Sequence, residues 1–95
     1  MKLWVDDERP APEGWLWAKN SHEAIGVLSY EWPAGRVSDL SLDHDLGGED
    51  TTRSVVNWMV MHGIWPDRVW IHTANPVGRE WLEGMINKYG PGVSK

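Results

Sequence analysis

Three short apolar runs in this 95-residue chain each end in a cluster of acidic or polar side chains, and that repetition constrains the fold more than any other feature. Leu3-Trp4-Val5 leads into Asp6-Asp7-Glu8-Arg9-Pro10, and Val37 to Leu42 leads into Asp43-His44-Asp45-Leu46-Gly47. Val69-Trp70-Ile71 leads into His72-Thr73-Ala74-Asn75-Pro76. Short apolar runs bounded by turn residues read as buried strands. In an open parallel sheet the carboxyl ends of the strands share one rim, and ligands bind there. Three such strands would gather four aspartates, two histidines, a threonine and an asparagine in one crevice.

The segments between the runs supply helices. Trp15-Leu16-Trp17-Ala18 is a further strand after the loop Arg9 to Gly14, whose prolines and glycine cannot continue a regular element. Asn20 or Ser21 caps a helix carrying Ala24, Ile25, Val27 and Leu28 on one face, with a stop before Pro33. Val55, Val56, Met59 and Val60 mark a second helix, closed by Gly63. A third starts near Gly78 or Arg79 and buries Trp81, Leu82, Met85 and Ile86. Alternating strands and helices with short connections predict an α/β domain with a mainly parallel four-stranded sheet. The expected strand order is 2-1-3-4, in a minimal three-layer sandwich with about three helices. Residues 1–95 form one domain, with 90–95 as a flexible tail.

Composition narrows the function classes. With no cysteine, a metal has to be held by oxygen or imidazole, and a reducing cytoplasm is the compatible location. No run approaches the ~20 apolar residues of a membrane span. A net charge of −5 speaks against duplex nucleic acid as a partner. Eight tryptophans and no phenylalanine form an unusual aromatic set. They are expected in core and surface-covering roles, with Trp4 or Trp81 as candidates to stack on a nucleobase or sugar.

Asp43 and Asp45 are two residues apart, so on extended chain they share a face while His44 points away. Crowded carboxylates repel: at an effective dielectric near 20, a pair ~4 Å apart costs roughly 4 kcal/mol. A hard divalent cation, Mg²⁺ or Mn²⁺, removes that cost, and Asp6, Asp7, Asp43 and Asp45 are its expected ligands. Solvated turn acids are the bland alternative. His44 and His72 are candidates for acid and base near neutral pH. Thr73, Asn75 and the free amides near Gly78 are candidates to orient an anion. Arg9 and Arg79 could add charge to it. His22 and His62 read as surface or packing residues. No Gly-x-Ser-x-Gly elbow and no glycine-rich nucleotide fingerprint occurs.

These motifs resemble the receiver superfamily of response regulators. Val5-Asp6-Asp7-Glu8 is similar to the acidic pair that holds Mg²⁺, Leu42-Asp43 to the phosphoacceptor strand end, and Ile71-His72-Thr73-Ala74 to the strand with the conserved threonine and alanine. The helix between the first two strands is missing, and the receiver lysine has no counterpart. A closer resemblance is to the cyclic-phosphate processing receiver domains, whose motifs are similar to Leu3 to Pro10, Ser41 to Gly47 and His72 to Gly78, over about residues 2–89. Thr73 stands where serine is commoner. The resemblance implies a metal-dependent phosphoesterase acting on a cyclic phosphate of a nucleotide, an RNA end or an ADP-ribose derivative. Asp43, His44, His72 and Thr73 would be catalytic, with Asp43 as metal ligand or covalent phosphoacceptor. The alternative is a catalytically inactive receiver-like module that binds a nucleotide or a protein partner.

Overall fold

A computed structural model describes residues 1–31 and 36–95. In chain order the elements are β1 (Lys2–Val5), β2 (Trp15–Ala18), α1 (Ser21–Glu31), β3 (Asp39–Leu42), α2 (Arg53–His62), β4 (Arg68–Ile71) and α3 (Pro76–Tyr89). Pro33, expected to stop the first helix, lies outside the described residues, as does Trp32. The sheet has the order β2-β1-β3-β4, and every neighbouring pair is parallel.

The layering departs from the expected three-layer sandwich. The crossovers β2–α1–β3 and β3–α2–β4 both advance in the same direction across the sheet. Right-handed crossovers of that kind lay their helices on one face. α1 packs against α2, and α2 against α3. The only connection running the other way, from β1 to β2, is the proline loop, which is too short to cover the opposite face. The described residues therefore form two layers.

Strand side chains alternate between these environments. Leu3, Val5, Leu40, Leu42 and Val69 are fully buried against Ala24, Leu28, Val55, Val56, Met59, Leu82 and Ile86. Each large side chain in this cluster contributes about 1.5–3 kcal/mol by leaving water. Trp58, Trp65 and Trp81 pack against this core, whereas Trp4, Trp15, Trp17 and Trp70 do not. The latter four alternate with the core residues of their strands and lie half-buried on the helix-free face.

Local chemistry fixes the helix ends. Asn20 Oδ1 accepts the Glu23 amide at 2.8 Å, and Glu23 Oε1 accepts the Lys19 amide at 2.9 Å. Asp50 reaches across to cap α1, taking the Ser21 amide at 2.9 Å and its hydroxyl at 2.6 Å. Gly63 closes α2 with a left-handed φ of 63°. Asn75 caps α3 and Pro76 opens it, so the helix starts two residues before the expected Gly78. The chain end, expected as a free tail, is irregular but bonded to the body. Val93 forms a parallel bridge with Val69, the Ser94 amide donates to Val69 O at 2.7 Å, and the Val93 amide donates to Asn87 Oδ1 at 2.9 Å.

Candidate active site

The rim at the carboxyl ends of β1, β3 and β4 holds a crevice of about 340 Å³ whose lining includes Asp6, Asp7, Arg9, Asp43, Thr73 and Asn75, together with Glu8, Asp45, Gly47 and Ala74. Asp6 is its most constrained acid, at 1% exposure. Its Oδ1 accepts the amides of Glu8 at 2.8 Å and Arg9 at 2.9 Å, the turn by which β1 ends. Its Oδ2 faces His72 Nε2 at 3.0 Å and Arg9 Nε at 3.2 Å. Burial pushes the Asp6 pKa up, but the two amides and His72 outweigh it and hold the carboxyl below its ordinary value. Asp6 is therefore ionised, with both oxygens hydrogen-bonded.

Asp43 accepts the His44 amide on Oδ1 at 2.8 Å, and Arg9 Nη2 lies 4.0 Å from the same oxygen. Asp7 has no hydrogen-bond or ion-pair partner among the described residues. Asp6, Asp7 and Asp43 each offer an oxygen within 4.8 Å of the other two. Around Mg²⁺, bonds of ~2.1 Å at octahedral angles separate ligand oxygens by roughly 3–4 Å. An all-carboxylate set at this spacing, one member unpartnered, fits a hard divalent cation. Asp45 stands apart from the three. Its Oδ2 accepts Asn75 Nδ2 at 3.0 Å and its Oδ1 meets His44 Nδ1 at 3.1 Å. Asn75 first, then His44, lower its pKa.

The two histidines occupy different places. His72 sits beside the crevice, its ring stacked on Trp4 with centroids 3.7 Å apart and planes 7° from parallel. Its Nδ1 meets Ser41 Oγ at 2.7 Å while Nε2 meets Asp6. Burial lowers its pKa, opposed by Asp6. Beside an ionised Asp6, the neutral ring carries its proton on Nε2 and accepts from Ser41 on Nδ1. His44 is turned away between α2 and α3, where it is buried. Its Nδ1 is held by Asp45, and its Nε2 accepts from Arg53 Nε at 2.9 Å. His44 and His72 are thus not brought together as an acid–base pair; each has both ring nitrogens engaged.

Thr73 and Asn75 reach the crevice. Thr73 Oγ1 accepts the Asn75 amide at 3.2 Å, which leaves the hydroxyl proton free to donate. The Gly78 amide is taken by Asn75 Oδ1 at 3.0 Å, so it is no open anion site. Arg79 lies behind the rim, donating to Ile71 O at 3.4 Å and Thr73 O at 3.2 Å, with Glu83 at 3.9 Å. Arg9 does face the crevice and donates to His72 O at 2.8 Å. Two supports carry no sequence assignment, Ser41 against His72 and Arg53 against His44, and Glu8 also lines the crevice. Ser41 lies two residues before Asp43, and that face-sharing spacing is the one available signal.

A four-stranded parallel sheet in the order 2-1-3-4, with paired acids after β1, an aspartate after β3 and a threonine after β4, is a receiver-like α/β domain. The chain belongs to the Cyclic-phosphate processing Receiver domain family, whose match extends over residues 1–88. No curated protein and no solved structure matches it. Among the described residues, no helix is long and apolar enough to cross a membrane.

Proposed function

We propose that the crevice opens a cyclic phosphate by metal-dependent hydrolysis, in a cytoplasmic setting consistent with the absence of cysteine. The observation that carries this is the convergence of Asp6, Asp7 and Asp43, one of them unpartnered, beside neutral donors able to hold a phosphate. Asp6, Asp7 and Asp43 would hold Mg²⁺ or Mn²⁺. Such an ion offsets the repulsion of the acids, polarises a phosphoryl oxygen and makes nearby water more acidic.

The remaining chemistry belongs to the side chains. Thr73 donates its free hydroxyl proton to a phosphoryl oxygen, and the second N–H of Asn75 and the outer N–H groups of Arg9 do likewise. Asp43 Oδ2 takes a proton from the attacking water. The water oxygen bonds to phosphorus, one ring P–O bond breaks, and the released alkoxide takes up the proton that Asp43 received, so one water is added overall and the carboxylate is regenerated. His72 is a positioning residue: it fixes Asp6, and Ser41 and Trp4 fix it. His44 positions Asp45 and, through it, Asn75.

A non-catalytic reading is favoured by one observation. No imidazole nitrogen is left free among His44 and His72, so the crevice could bind a phosphorylated small molecule, nucleotide or protein partner without turnover. ³¹P NMR of 2′,3′-cyclic nucleotides and cyclic ADP-ribose phosphates, with and without Mg²⁺ or Mn²⁺, separates the two. Hydrolysis gives a metal-dependent monoester resonance that is lost in Asp43→Asn. Binding alone gives shifted or broadened resonances and no new ester.

A further inference from the structure

Parallel sheets are ordinarily covered on both faces. Here the face opposite α1, α2 and α3 carries no helix among the described residues. The strand register gathers its side chains: Trp4 lies beside Trp17 and Ser41, Lys2 beside Trp15 and Asp39, and Ser41 beside Trp70. The surface is aromatic and cationic. Trp4 and Trp15 meet edge to face with centroids 6.0 Å apart. Lys2 Nζ stands 5.6 Å from the Trp15 ring, and Lys19 Nζ 4.4 Å from the Trp17 ring. Asp39 is neutralised there by Arg68, through hydrogen bonds of 2.6 and 3.1 Å. Lys2 and Lys19 stand over these rings with no ion-pair partner among the described residues, in a chain whose net charge is −5.

The same face runs without a break into the crevice. Trp17 Nε1 donates to Asp6 O at 2.7 Å, Trp4 Nε1 donates to Arg9 O at 2.9 Å, and Trp4 stacks on His72. A ligand lying along the indoles therefore arrives with its end at the acidic triad.

We propose that the helix-free sheet face is a platform for single-stranded RNA, and that the crevice acts on an RNA 3′ end bearing the cyclic phosphate in preference to free cyclic nucleotides. This rests on the cyclic-phosphate function proposed above. Unpaired bases offer a π face to the indoles, while backbone phosphates meet Lys2 and Lys19. A four-stranded sheet with surface aromatics accommodates about two or three stacked bases. Duplex RNA hides its base faces and is disfavoured. Only the terminal phosphate enters the acidic crevice, so the polyanion is kept off the carboxylates.

The test uses the full chain and two single-stranded RNAs of ~10 nucleotides, a length within the span of known single-strand sites. One ends in a 2′,3′-cyclic phosphate and the other in free hydroxyls. Both should quench tryptophan fluorescence saturably, with an affinity that falls as salt rises. Lys2→Glu and Lys19→Glu should each weaken binding about three- to tenfold and lower the salt slope by about one. Neither should change the conversion of a cyclic mononucleotide. Asp43→Asn should bind the hydroxyl-ended RNA like wild type. If RNA binds and the lysine variants weaken it while no ³¹P change occurs, the platform stands and the hydrolytic function fails. If a cyclic mononucleotide is hydrolysed but neither RNA binds, or the lysine variants bind RNA like wild type, the platform is overturned. Self-association through this face that blocks RNA binding would also overturn it and assign the tryptophans to a protein partner.

Discussion

Adding one methyl group at Gly78 should destabilise the whole domain. An ideal Cβ at this position lies 2.3 Å from His44 Cγ and 2.7 Å from Cδ2 and Nδ1. Ordinary carbon contacts are ~3.5–4.0 Å, so His44 or the start of α3 has to retreat by more than about 1 Å. His44 cannot retreat freely, because Arg53 holds Nε2, Asp45 holds Nδ1, and the residue is 5% exposed. Overpacking of this kind costs about 1–3 kcal/mol. The better helix propensity of alanine returns ~0.5–1 kcal/mol. The net loss for Gly78→Ala spans about 0–2.5 kcal/mol and centres on ~1 kcal/mol, or roughly 4–8 °C in Tm for a domain of this size. Gly84 is the internal control, since a Cβ there meets nothing within 4 Å and Gly84→Ala should stabilise by ~0.5–1 kcal/mol. Thermal and urea denaturation followed by circular dichroism reads both. Equal stabilisation by the two substitutions would refute the packing of His44 against α3.

Other outcomes follow from single contacts. Arg68 beside Asp39 holds that carboxyl at about 2, below its ordinary 3.8, so the unfolded chain binds the proton first and the pair stabilises fully above pH 3.8. That contribution should disappear as pH falls toward 2, and Arg68→Met should flatten the acid limb of urea midpoint against pH; an unchanged limb would remove the pair from the stability account. Asp50→Ala removes the acceptor of the Ser21 amide and hydroxyl at the start of α1 and should cost about 1 kcal/mol, read by urea denaturation, without altering ligand binding in the crevice. Tryptophan fluorescence should report saturable Mg²⁺ or Mn²⁺ binding, because Trp4 stacks on the His72 that holds Asp6. Asp7→Asn and Asp43→Asn should each weaken that binding sharply, and equal affinity in all three proteins would contradict a cation among these acids.

Much of the fold was legible because its signals are local. The apolar runs give the strands, Asn20 and Gly63 give helix boundaries, and the proline loop after Asp6 gives the order 2-1-3-4. The layer count was not legible from the pattern alone. It depends on the direction of successive crossovers, and the half-buried tryptophans of the open face resemble core residues when read in sequence. Within the site, the acids after β1 and β3 and the Thr73–Asn75 stretch converge as their strand ends imply. The placement of His44 was only half readable. Its turn away from Asp43 follows from strand alternation, but its seat against Gly78 and Arg53 depends on how α2 and α3 pack. Asp50 likewise caps α1, a helix earlier in sequence than the one it precedes, because the rim loop folds back on Ser21. Gly78 is a candidate contact because a helix start exposes amides and Arg79 because it carries charge, but Asn75 Oδ1 accepts the Gly78 amide and the carbonyls of Ile71 and Thr73 accept from the Arg79 guanidinium.

The most direct measurement is the rate of cyclic-phosphate opening, followed by ³¹P NMR at saturating Mg²⁺ or Mn²⁺, in wild type, Asp43→Asn and Asp50→Asn. Asp43 faces the crevice, whereas Asp50 is bound to Ser21 outside it. Hydrolysis at the acidic rim requires that Asp43→Asn lose activity on the order of 10²-fold or more, as expected for removal of a general base, and that Asp50→Asn retain it with lowered stability. Equal turnover by Asp43→Asn and wild type would show that the chemistry takes place elsewhere.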